Sequence, residues 1–191
     1  MVRTKLDQLK QEINHYIDLP YMINIIRHGR VVKERFLGAK GHWKEIQKET
    51  QRLAKENKIN FKQLPAKRLY NFQKKHKIGI DCSGLVSQLL IYYGKLLGRK
   101  ITLNPRKTSA DMLTSEPLSV KIKDINEIQT GDLIRQKNGH HVLFIVEKNG
   151  KVIDYVNSSF WGRGVKYGQV DLTDPTFDNQ GIYRLKSLFL D

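Results

Sequence analysis

Cysteine is nearly absent: the 191-residue chain holds one, Cys82. A single thiol excludes an intramolecular disulfide framework and any zinc site built from several cysteines, and leaves either a small buried hydrophobe or a nucleophile. Long apolar runs are missing too. No stretch approaches eighteen consecutive apolar residues, so the sequence predicts no transmembrane segment. The opening MVRTKLDQLKQEINHYIDL spaces its apolar residues instead of running them together and lacks the continuous apolar region of a secretory signal. The expectation is a cytoplasmic protein, or one delivered outside by a route without such a signal. Acidic residues are scarce, 19 against 34 Lys and Arg, for a net charge of +15. Residues 1–78 carry 19 Lys or Arg and 7 Asp or Glu, a balance of +12, against 15 and 12, or +3, in the rest. This asymmetry fits an anionic polymer as partner (nucleic acid, an acidic membrane surface or a cell-wall glycopolymer) or a solvated Lys-rich helical face, and no nucleic-acid motif accompanies it. What is present suffices for a core. With 39% apolar residues, two Trp, eight Tyr and seven Phe, wholesale disorder is excluded, and the length fits one domain or a domain with a helical extension.

Leu6, Leu9, Ile13, Tyr16 and Ile17 recur at three- and four-residue steps, which predicts an amphipathic helix ending near Leu19-Pro20. A second helix is expected from about His42 to Asn57 and a third from about Asn60 to His76. The intervening PYMINIIRHGRVVKERFLGAKG fits no single period. After Gly79 the texture changes: a helix begins at Asp81 and runs through SGLVSQLLIYYGKLLG, and alternating runs at GDLIRQ, HVLFIV, KVIDYVN, GVKYGQVDL and GIYRLKSL read as an antiparallel sheet. Helices first and strands later give an α+β fold, with the sheet packed on the helix that starts at Asp81. The one candidate boundary is near Lys77-Ile78-Gly79, dividing a basic helical region, 1–78, from a mixed region, 79–191.

Cys82 stands in IDCSGLV, with Asp81 as N-cap and the thiol on the first helical residue. Unpaired backbone N–H groups and the positive end of the helix dipole favour thiolate there, and the same N–H groups can stabilise an oxyanion formed on attack at a carbonyl. Ser83 and Gly84 keep the turn small, so a substrate could approach the backbone closely. A nucleophile needs a base. His141 opens HVLFIV and shares its strand face with Leu143 and Ile145; His140 points to the opposite face, so only one of them can address Cys82. If the following hairpin loop is Lys148–Gly150, Asn157 lies directly across from His141 and can fix its tautomer; a strict two-residue turn instead puts Ser158 opposite and brings Asp154 to the His face.

The succession IDCSGLV, LNPRKTSADM, IQTGDLI, GHHVLFIV, then VNSS followed by GRGV, over about residues 79 to 170, resembles the NlpC-type cell-wall peptidases, a bacterial branch of the papain-like superfamily. The resemblance implies a papain-like core with Cys82 as nucleophile, His141 as general base and Asn157 as orienting group. It implies that Asp81 and Ser83 hold the free amine of a stem peptide, and that no metal or organic cofactor is needed. Pro20-Tyr21 matches the family's upstream Pro-Tyr, giving Tyr21 a substrate-binding role, although Met22 and Ile23 follow it and some sixty residues separate it from the cysteine. The activity implied is hydrolysis of the amide between D-glutamate and a diamino acid in peptidoglycan fragments. Two other functions are compatible with the residues: acyl or amide transfer on the same Cys-His core, and a non-catalytic basic module that binds an anionic polymer through residues 1–78.

Overall fold

A computed structural model describes residues 3–27 and 30–189. Its first helix, α1 (Lys5–Asn14), starts on a capping box in which Thr4 and Asp7 satisfy each other's backbone N–H groups. A hairpin of β1 (Ile25–Arg27) and β2 (Arg30–Lys33) follows, inside the segment that had no readable period; its His28 and Gly29 lie outside the described residues. Helix α2 (Trp43–Glu56) has His42 as N-cap and Asn57 as C-cap, the limits expected. Helix α3 (Ala66–Lys75) is shorter than expected. Pro65 stands at its N-cap, so the residues before it form a separate turn at Phe61–Gln63.

Helix α4 (Cys82–Leu96) is the centre of the molecule. It is apolar on nearly every side, the pattern of a helix enclosed by other elements, and Leu85, Val86, Leu89 and Leu90 are fully buried. After the short α5 (Ala110–Leu113), the strands β3 (Ser119–Ile122), β4 (Leu133–Gln136), β5 (His141–Asn149), β6 (Val152–Ser159), β7 (Gly164–Asp171) and β8 (Ile182–Leu185) form one antiparallel sheet in the order β3-β8-β4-β5-β6-β7. A last turn of helix, α6 (Lys186–Phe189), closes the described chain. The fold is therefore mixed α+β with a six-stranded antiparallel sheet, as expected; β3 and the β1–β2 hairpin are additions.

Alternation divides the sheet's side chains between two clusters. Leu133, Val142, Phe144, Val146 and Val156 pack with α4, whereas Ile134, Leu143, Ile145 and Ile153 form a smaller cluster on the opposite face under Tyr155 and Phe177. The larger cluster crosses residue 78: Leu9, Ile13, Tyr16, Leu19 and Ile46 share it with α4 and the sheet.

Candidate active site

Cys82 is the first residue of α4, and Asp81 caps the helix by accepting the Gly84 N–H at 2.6 Å. The start of α4 is pinned from three directions. Ile80 donates to the Pro20 carbonyl at 3.0 Å, Asp81 to the Ala39 carbonyl at 2.9 Å, and the Ser158 hydroxyl to the Ile80 carbonyl at 2.6 Å. A parallel bridge joins Tyr21 to Ile80, which carries the Tyr21 ring to the same corner. Burial pushes the Tyr21 phenol up to about 12, and the charges of Cys82 and Asp81 act in the same direction, so the ring is in electrostatic reach of both.

The sulfur lies at the end of the sheet, against the β5 backbone. Its thiol points at the His140 carbonyl, 4.0 Å away, and the backbone N–H groups of Val142 and Ser83 lie near enough to favour its charged form. These contacts bracket His141. Cys82 is only 6% exposed, and burial, seconded by the Asp81 carboxylate, pushes its thiol up to about 11. This corrects the expectation of a resting thiolate. A helix dipole contributes at most about 2 kcal/mol, a little over one pKa unit, whereas desolvation of a buried group is worth up to about 3–5 units.

His141 is likewise buried, and burial, helped by the Lys137 charge and opposed by Asp178, lowers its imidazole to about 4. The free protein therefore holds both the thiol and the imidazole neutral. Alternation along β5 assigns His141 to the face of Leu143 and Ile145, not to the α4 face of Val142. Among the described residues no hydrogen bond joins thiol to imidazole; they are neighbours through one residue of backbone. His140, exposed and preceding the strand, supplies the carbonyl at the sulfur.

The β5–β6 register differs from both expectations. Asn149 pairs with Val152, so the turn is Gly150-Lys151, and a bulge between Ile145 and Glu147 shifts the ladder again. Beyond it Phe144 pairs with Val156 and Ile145 with Tyr155. Carried onward, this ladder sets Asn157 across from Leu143, on the face of His141 but one diagonal removed, not directly opposite as predicted. The residue across from His141 is Gln136 of β4, itself buried. Asp154 pairs with Glu147 and accepts from Gln169 at 2.8 Å, roughly 20 Å of strand from His141, too far to orient it.

Two further residues were invisible in the sequence pattern. Asp178 lies close enough to His141 to oppose the lowering of its pKa, and its carboxylate accepts the Lys137 N–H at 2.9 Å. Lys40 reaches the mouth of α4. Its ammonium lies 3.0 Å from each Asp81 carboxylate oxygen, 2.5 Å from Ser83 Oγ and 3.1 Å from the Thr108 carbonyl. Gly84 admits the backbone that carries Lys40, since a β-carbon there would stand 2.9 Å from the Ala39 oxygen and 3.0 Å from Lys40 Cα. The space read as a substrate approach is thus filled by the chain itself. No cluster of three or more His, Cys, Asp or Glu side chains that could hold a metal occurs among the described residues, and no described helix is long and apolar enough to cross a membrane.

Compared with known proteins, the chain matches no family model, and neither curated proteins nor solved structures give a significant match. Its chemistry is read from the site alone.

Proposed function

We propose that the chain is a papain-like cysteine peptidase or amidase of NlpC type, hydrolysing an amide of the D-glutamyl-diamino acid kind in peptidoglycan stem peptides. One observation carries the reading: the only cysteine opens a buried helix, and its sulfur lies between the two backbone groups that flank a buried histidine. A merely structural cysteine needs no such company, and the polar neighbours Tyr21, Asp81 and Ser83 converge on the same corner.

In this reading Cys82 and His141 rest neutral and apart, on opposite sides of β5, and catalysis requires the imidazole, carried on the first residue of the strand, to swing round the strand end to the sulfur when substrate binds. His141 takes the thiol proton as sulfur attacks the amide carbonyl, and backbone N–H groups at the start of α4 stabilise the oxyanion. The proton passes to the leaving amine as the C–N bond breaks. Water, deprotonated by His141, then cleaves the thioester, releasing the carboxylic acid and returning the proton to sulfur. Gln136, with Asn157 on its diagonal, holds the imidazole in one tautomer.

Incubation with muropeptides, with products read by mass spectrometry, tests this. The wild type should yield fragments bearing a new amine and a new carboxyl group, and Cys82→Ala should yield none. Identical product profiles for the two proteins would sink the reading.

A further inference from the structure

The geometry points to Lys40 as a specificity-determining residue that closes the Asp81–Ser83 pair to a substrate amine, so that this site takes stem peptides whose amino terminus is acylated. The inference rests on the hydrolase reading above and departs from the role that resemblance implies for Asp81 and Ser83.

A carboxylate and a hydroxyl side by side at a cleft make a receptor for an ammonium group. Here an ammonium from the chain already fills it. Lys40 Nζ has three N–H donors and three acceptors in contact: the Asp81 carboxylate, Ser83 Oγ and the Thr108 carbonyl. The acceptors are equally committed. Asp81 Oδ1 takes the Gly84 N–H and the Ser83 hydroxyl at 3.1 Å as well as Lys40, while Ser83 donates to Asp81 and accepts from Lys40. All three side chains are shielded: Lys40 keeps 13% and Asp81 8% of side-chain exposure, and Ser83 is buried. Only Asp81 Oδ2, which contacts Lys40 at 3.0 Å, has room to accept again, and a cation arriving there would meet the Lys40 charge.

The placement of Lys40 is built into the backbone. Leu37, Gly38 and Ala39 run through left-handed φ values of 48°, 68° and 63°, an arrangement that side-chain-bearing residues adopt only when the surroundings enforce it. Asp81 N–H to the Ala39 carbonyl and Gln88 Nε2 to the Lys40 carbonyl at 2.9 Å enforce it here. An acylated amino terminus carries no charge and needs no counter-ion; a stem peptide still amide-linked to its glycan strand has this chemistry, and a released stem peptide does not.

The test uses one stem peptide in two forms, with a free amino terminus and N-acetylated. Two measurements are made: hydrolysis by wild type, Lys40→Met and Lys40→Arg, and calorimetric binding to Cys82→Ala, which needs no turnover. Wild type should favour the acetylated form by at least about tenfold in kcat/KM, and Cys82→Ala should favour it similarly in Kd. Lys40→Met should reverse or erase the preference by freeing Asp81, and Lys40→Arg should keep it. A wild-type preference for the free amine, an unchanged ratio in Lys40→Met, or failure of both peptides to bind overturns the inference. Discriminating binding without any hydrolysis would leave it standing and reject the hydrolase reading instead. Should Lys40→Met not fold, the wild-type and Cys82→Ala ratios decide.

Discussion

The carbonyl oxygen of Ala39 stands 2.9 Å from the point that a β-carbon on Gly84 would occupy. Neither the carbonyl nor Lys40 Cα beside it is the loose end of a flexible side chain, so a methyl group there must displace the Lys40 segment from α4. Gly84→Ala should therefore lower the unfolding free energy by about 1–3 kcal/mol despite the higher helix propensity of alanine. Thermal denaturation checks it; an unchanged or raised midpoint would mean that the segment yields freely.

The thiol is pushed up to about 11 and the imidazole down to about 4. Between these values both groups are neutral in the free protein. Alkylation of Cys82 by iodoacetamide should accordingly be slow at pH 7, should accelerate with pH beyond 9, and should show no inflection between pH 5 and 8. A fast plateau across that interval would reveal a resting thiolate–imidazolium pair.

His141 also links stability to acidity. Its folded-state pKa, about 4, lies below the ordinary value of 6.5, so the unfolded chain binds the proton more tightly between the two. Stability is full above 6.5, falls as pH drops through that window and levels near 4; at pH 5 the loss is on the order of 2 kcal/mol. Urea titrations at pH 7 and 5 measure it. His141→Gln should flatten this part of the profile, and an equal slope in both proteins would assign the dependence elsewhere.

Orientation of the imidazole gives a ranking. Gln136 pairs directly with His141, Asn157 is a diagonal neighbour, and Asp154 is remote. Turnover should fall most for Gln136→Ala, less for Asn157→Ala and hardly at all for Asp154→Ala. The companion comparison identifies the base: His141→Ala should cost about 100-fold or more, the usual scale for a general base, and His140→Ala far less. If His140→Ala proves the more damaging, the base sits on the α4 face.

Much of this fold is legible in the sequence. The helices at Lys5 and Trp43 follow from amphipathic spacing, the helix at Cys82 from its Asp81 cap and apolar run, and five of the six sheet strands from their alternating or β-branched runs. The site was legible as far as local pattern reaches: Asp81, Cys82 and Ser83 on one helical start, His141 on a strand. What failed depended on distance or on a single residue's shift. The turn falls at Gly150-Lys151, and this shift, only partly offset by the bulge after Ile145, moves Asn157 away from His141; nothing in VEKNGKVID announces it. Lys40 lies 41 residues before Asp81 in a segment without period, held by backbone hydrogen bonds that carry no side-chain signature. The thiolate expectation failed because a helix start looks the same in sequence whether water reaches it or not.

Leu9, Ile13 and Tyr16 have no exposed surface, and they press on α4 and the sheet in the same cluster as Phe144 and Val156. The leading helix is thus an inner wall of the body that carries Cys82. A protease that clipped the chain before Pro20 would uncover hydrocarbon beside the sulfur-bearing helix, and the remainder would have to associate or unravel.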